Sequence, residues 1–170
     1  MNTYDYTQIE FRRLLEVEPR AIIDLMNDPD VRRHLPLAQG HFGQEDYKRF
    51  IAGKEKIWTT HGYGPWAFML GDEFVGWGGL QPEDGDVDVG LILRRKHWGA
   101  GRLLYTRIVD QAFNNLGVDS VIALLPPSRT RVAGLQRLGF QRDSEFVIGD
   151  ALFHRYRLTR KAYLHTTKRK

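Results

Sequence analysis

Apolar positions change period along this chain, and the changes mark its elements. The stretch Tyr6–Leu15 predicts an opening strand. Pro19 stands where a first helical residue often stands, and Ile22, Ile23, Leu25 and Met26 follow it. That spacing predicts a short helix stopping before Asn27-Asp28-Pro29. A second helix is marked by Tyr47, Phe50, Ile51, Ile57 and Trp58 on one side of a helical wheel, ending near His61-Gly62. From Pro65 the period shortens. Trp66–Leu70 and Glu73–Leu80 read as strands joined at Gly71-Asp72, and Asp86–Asp88 alternates into Val89–Leu93, a strand with Gly90 inside it. Leu104, Ile108, Ala112 and Leu116 recur every four residues, predicting a helix from Gly101 with Gly117 as its cap. Val118–Leu125 is a buried-type strand stopped by Pro126-Pro127. A short helix from about Ser128 to Leu138 ends at Gly139, and strands Phe140–Ile148 and Ala151–Leu158 close the pattern. The order predicts one α/β domain with a mixed, mostly antiparallel sheet and about four helices.

Composition agrees with a single core. The chain has 170 residues, 42% hydrophobic and 27% charged, ordinary for a globular domain and too apolar for a disordered one. It has no cysteine, which excludes disulfides, thiolate metal sites and a thiol nucleophile. No apolar run is long enough to cross a membrane, and the charged start lacks a signal-peptide core, so a cytoplasmic location is expected. The net charge of +4 is uneven: residues 151–170 carry seven Lys/Arg and no Asp/Glu, leaving −3 for residues 1–150. The sum is therefore weak support for a nucleic-acid partner. We expect a domain over residues 1–160 and a solvated basic tail over 161–170, which leaves a salt-sensitive RNA-binding role for the tail as a minor reading.

The chemistry concentrates between Leu91 and Arg102, where a strand passes through a basic, glycine-containing loop into a helix. Backbone amides at a helix start hold phosphate groups, and Gly99 and Gly101 leave that approach free of side chains. Arg94, Arg95, Lys96 and Arg102 add positive charge. The same glycines also suit a tight turn. The chain contains no GxxxxGK[ST] and no third glycine of a dinucleotide fingerprint. The six histidines never show HxxxH spacing, so no metal site is expected, and no serine lies in GxSxG.

The run from Asp88-Val-Gly-Leu through Lys96-x-x-Gly99-x-Gly101, then helix, strand, short helix and Leu138-Gly139-Phe140, resembles the GNAT superfamily of N-acetyltransferases. It looks closest to the ribosomal-protein N-terminal acetyltransferase-like branch. The resemblance implies a GNAT-like fold splayed at its central strands and acetyl-CoA as co-substrate. It places the pantetheine arm along Leu91, Ile92 and Leu93, and the phosphates on Lys96, His97, Trp98, Gly99, Ala100, Gly101 and Arg102. It implies direct transfer of acetyl to a primary amine, either a protein or peptide N-terminus or a small molecule, and homodimerisation as an option. Asp88 occupies the place of a strand glutamate in the family and is the candidate base, acting directly or through water; the Asp-Val-Asp-Val alternation also suits a solvent-facing residue. Ser128 is the candidate hydroxyl near the leaving sulfur, or alternatively a helix N-cap. The chain departs from the family at Leu135, where many members have tyrosine, at Ser128 and Arg131 in place of Asn-x-x-Ser, and at Tyr105-Thr106 in place of Glu-Ala. Those departures keep open a non-catalytic CoA-binding or regulatory module of the same fold.

Overall fold

The computed structural model describes residues 3–38 and 40–168. The chain runs β1 (Glu10–Arg12), α1 (Pro19–Asn27), α2 (Pro29–Arg32), α3 (Gln44–His61), β2 (Pro65–Leu70), β3 (Glu73–Glu83) and β4 (Asp86–Leu93). It continues with α4 (Gly101–Asn114), β5 (Ser120–Leu125), α5 (Ala133–Arg137), β6 (Gln141–Ile148), β7 (Ala151–Thr159) and α6 (Arg160–Thr167). The strands form one sheet in the order β1-β2-β3-β4-β5-β7-β6. Every neighbouring pair is antiparallel except β4–β5.

Local chemistry sets the boundaries. Asp46 closes the start of α3 by accepting from the Gly43 N–H at 2.9 Å, and Gly62 ends it in the left-handed region at φ 72°. Asp84 (φ 48°) and Gly85 (φ 82°) make the two-residue turn between β3 and β4, a type I′ requirement. The opening strand is shorter than expected. Asp5 accepts from the Thr7 N–H at 3.1 Å and turns Tyr6–Gln8 into a 3₁₀ segment, and a second such turn covers Leu14–Glu16.

The sheet buries both faces. On one side Val75, Leu80 and Val89 pack against Leu104 and Ile108 of α4. On the other, Met69, Phe74 and Trp77 pack against Leu25 of α1 and Ile51 of α3. Six α-helices are present among the described residues where about four are expected, the additional ones being α2 and α6.

Helix α6 corrects the reading of the basic tail. Thr159 caps it, and buried Tyr163 stacks on Phe113 and donates to Asp110 of α4 at 2.6 Å. The preceding cations are also engaged. Arg157 grips Asp86 through two contacts of 2.8 and 3.1 Å, Arg155 reaches Asp143, and Arg160 donates to the Phe113 and Val118 carbonyls. Much of the C-terminal charge is therefore spent inside the fold. No described helix is long and apolar enough to cross a membrane.

Candidate active site

Strand β4 decides where the site lies. It stays paired with β3 along its length, from Glu83↔Asp86 to Gly76↔Leu93. Toward β5 it has one paired position, Asp88↔Ile122, and beyond it the two strands diverge. Parallel neighbours that separate leave main-chain groups unpaired, and such groups need partners. The gap opens into a cleft of about 1440 Å³ whose wall includes Leu91, Ile92, Leu93, Trp98, Gly99 and Gly101.

Close contact with β3 makes this geometry possible, and its glycine requirement lies on β3. A Cβ on Gly76 would stand 2.2 Å from the Ile92 carbonyl oxygen, and one on Gly78 would stand 2.2 Å from that of Gly90. Gly90, the glycine singled out in the sequence, has room: its Cβ would meet only Asp88 Oδ2 at 3.9 Å. The close backbone approach is thus real, with the glycines on the partner strand.

After β4 the basic loop is a 3₁₀ helix, Arg95–Ala100, which leads directly into α4. The Gly101 N–H already donates to the Trp98 carbonyl, so what the start of α4 offers an anion is the positive end of the helix dipole. A Cβ on Gly101 would meet nothing within 4 Å, so that side is open. The loop's side chains divide. Trp98 is half-exposed on the cleft, its Nε1 donating to the Leu93 carbonyl at 3.0 Å. His97, expected against the phosphates, is fully buried on the other side, between Glu73 Oε1 at 3.1 Å and the Tyr6 hydroxyl at 3.3 Å. Lys96 forms an ion pair with the same Glu73. Ala100 is buried in the core and Arg102 is exposed outside the cleft wall. Of the expected loop positions, Lys96, His97, Ala100 and Arg102 therefore bring no side chain to the cleft; the first two fasten the loop to the start of β3. Arg95 also works structurally, pairing with Asp30 of α2 at 3.2 Å.

Asp88 sits at the fork. It lines the cleft, so the solvent-facing alternative is replaced by a half-buried one. Its Oδ1 is buried without a hydrogen-bond partner among the described residues. Loss of hydration raises its pKa to about 7; nearby Glu83 pushes the same way, while the Leu124 N–H and Lys54 favour the charged form. Tyr105 lies one turn after Gly101, so its side chain points back over the loop into the cleft wall. Burial raises its pKa, with Arg129 opposing and Asp88 adding to the rise.

Ser128 does not cap a helix, because α5 begins only at Ala133, with Val132 before it. Its hydroxyl instead pairs with His34 Nδ1 at 3.0 Å, joining the segment after α2 to the segment after β5 at the cleft. Desolvation, helped by Arg129 and Arg33, lowers the His34 pKa. Leu135 is buried in the core and Arg131 lines the cleft.

Three features of the site escaped the sequence reading. Tyr105 was visible only as a departure, although its spacing from Gly101 carried the signal. Gly76 and Gly78 signalled themselves as repeated glycines inside an apolar strand. Lys54 interrupts the apolar stripe of α3, between Phe50 and Trp58; it reaches over the Phe50 and Trp77 rings (5.4 and 4.9 Å) and donates to Gln81 Oε1. Burial lowers its pKa to about 8, opposed by the charge of Asp88.

A sheet forked between two central strands, with a glycine-bearing helix start at the mouth of the fork, leaves a cleft open to a ligand that carries an anionic group. The acetyltransferase (GNAT) domain family matches residues 8–141, and the chain belongs to that family. It is an acyltransferase that uses acetyl-CoA as co-substrate. No curated protein matches the sequence. Among solved structures it is similar to an acetyltransferase from Agrobacterium tumefaciens, with a TM-score of 0.76, 20% identity and coverage of 94% of this chain and 95% of that one. A spermidine N-acetyltransferase chimera from Vibrio cholerae gives a TM-score of 0.72 at 16% identity, covering 92% and 98%. An aminoglycoside acetyltransferase, AAC(6')-Ib, in complex with coenzyme A gives 0.71 at 16%, covering 94% and 98%. At these identities the likeness is one of fold.

Proposed function

We propose that this chain is an N-acetyltransferase that passes acetyl directly from acetyl-CoA to a primary amine, with Asp88 as the base. The observation that carries the reading is the place of Asp88: at the fork of β4 and β5, on the cleft, with an unpartnered Oδ1. The co-substrate fits the residues present. Main-chain groups of Leu91, Ile92 and Leu93, freed from β5, would hold the pantetheine arm, and the first turn of α4 beside Gly99 and Gly101 would hold the phosphates. When bound, acetyl-CoA supplies an acyl carbon activated as a thioester.

The chain's own groups manage protons. A carboxyl near pH 7 is matched to an amine proton: an α-amino group titrates near ~8 and needs modest help, whereas a lysine at ~10.4 needs more. Asp88 takes the amine proton as the N–C bond forms. Tyr105, on the facing wall, holds a proton that the departing thiolate can take as the C–S bond breaks. Ser128 holds His34 across the opening rather than supplying that proton. The acceptor approaches from the side of α1 and α3, and is a protein or peptide N-terminus or a small-molecule amine.

The test is acetyl-CoA mixed with a panel of amines, reading free thiol and acceptor mass together. Thiol release matched by acetylated amine is expected. Tight acetyl-CoA binding with no thiol released by any amine would replace this reading with a non-catalytic CoA-binding module.

A further inference from the structure

The acceptor side of the cleft holds a second polar group that proton transfer does not use. Gln81 on β3 is paired directly across from Asp88 on β4, so their side chains rise on the same face about 5 Å apart. Lys54 of α3 donates to Gln81 from above. An ammonium has three donors, and Lys54 uses one of them on a neutral amide. It also lies over the Phe50 and Trp77 rings, and Asp88 acts on it through space without closing an ion pair. Next to it, Trp77 Nε1 is buried and has no acceptor. Trp77 Nε1 thus lacks an acceptor on one side of this corner, beside an ammonium whose one acceptor is a neutral amide, while Asp88 Oδ1 lacks a donor on the other.

Placing a cation there is costly unless an anion joins it. Asp88 is the one carboxylate whose charge acts on Lys54, and it does so through space without closing an ion pair; in the proposed reaction it is given to the amine, and the rest of this wall supplies no other anion. Asp46 is already held by Arg49 at 2.7 Å and by the Gly43 N–H, while Arg32 adds positive charge. A polyamine would meet this wall with like charges. An amine with its own carboxylate a few bonds away would meet both orphaned sets at once.

We infer that Lys54 is a specificity-determining residue that binds a carboxylate on the acceptor, so that the substrate class is an aminocarboxylate: an amine and an acid group on one short frame. This rests on Asp88 receiving the amine. The chemistry is shared by a free amino acid and by the acidic first residue of a peptide. The geometry fixes only that the acid lies close to the amine, and Lys54 reads the acid while Asp88 reads the amine.

The test compares matched acids and amides in two formats, with the full chain. In turnover with acetyl-CoA, glutamate and aspartate are set against their diamides, spermidine, and C-terminally amidated peptides beginning with Glu or Gln. In binding, the same compounds are titrated into protein saturated with CoA. The acid is expected to exceed its amide at least tenfold in kcat/KM, mainly through KM, and at least tenfold in affinity. Lys54→Met brings the acid-to-amide ratio toward one, while Lys54→Arg, which keeps the charge, preserves most of it and controls for folding. A preference confined to free acids assigns the small molecule; one shared with Glu-initiated peptides assigns the N-terminus. Acetylation or binding without preference for the acid, or a ratio unmoved in Lys54→Met, overturns the inference and leaves the transferase reading intact. Acid-selective binding without transfer to any amine sustains the Lys54 assignment and overturns the transferase reading. Absence of binding by either series overturns the Lys54 assignment.

Discussion

At Asp88, β4 is hydrogen-bonded into the sheet on both sides; from Val89 to Leu93 it keeps β3 and has left β5. The two halves of the cleft differ in the same way. The half proposed for the cofactor is a run of consecutive residues, Leu91 to Gly101, in which local backbone geometry shapes the cleft wall. The half proposed for the acceptor is assembled from α3, β3 and β4: the sheet pairs Gln81 with Asp88, and packing of α3 brings Lys54 to Gln81. A site made of backbone tolerates changes of side chain and fails when a side chain intrudes. A site made of converging side chains fails when any one of them is removed.

The largest effect should come from the acceptor half. Replacing Asp88 by Asn, a swap of nearly equal volume, should lower kcat/KM by about 10² to 10⁴ while acetyl-CoA binding by titration stays within a few-fold of wild type. Equal losses in both would place Asp88 in binding rather than proton transfer.

Glycines sharpen the comparison from the other half. Gly101→Val should weaken acetyl-CoA at least tenfold with the melting temperature nearly unchanged, since the new side chain meets open space. Gly78→Ala should destabilise the whole domain by about 2–4 kcal/mol, because its Cβ collides with the Gly90 backbone. Chemical denaturation of both variants reads this directly; a stable Gly78→Ala protein would contradict the close approach of β3 and β4. Tyr105→Phe is expected to be milder, about tenfold in kcat with little change in KM.

The remaining effect is one of stability. The folded pKa of Asp88, about 7, lies above the usual carboxylate value of about 3.9. The folded state therefore holds this proton more tightly than the unfolded one, and stability from this group falls as pH rises from about 4 to 7. Asp88→Asn removes that loss. It should be about 1–3 kcal/mol more stable than wild type at pH 8 and no more stable at pH 4, measured by urea unfolding. A gain of the same size at both pH values would refute burial of the charge as its cause.

The loop that forms one wall of the cleft was legible because its signal is contiguous: Gly99 and Gly101 before an amphipathic helix can be read along the chain. Even there, the fate of side chains was not. Lys96 and His97 look like phosphate ligands in sequence, yet Glu73, more than twenty residues earlier, draws both to the opposite side of the loop. The acceptor half left only an interruption, a lysine in the apolar stripe of α3, whose meaning depends on a register between β3 and β4 that periodicity does not specify. Likewise Tyr163 offered no reason to expect α6, because its partners Asp110 and Asn114 lie about fifty residues away. Ser128 looked like a cap because Pro127 precedes it, but its hydroxyl is committed to His34.

The pH dependence of kcat/KM tests the central claim most directly. With an acceptor whose own amine titrates well below the range, wild type should rise tenfold per pH unit below about 7 and level off above it, and the rising limb should vanish in Asp88→Asn. The same limb surviving in Asp88→Asn would assign the base elsewhere and contradict the account.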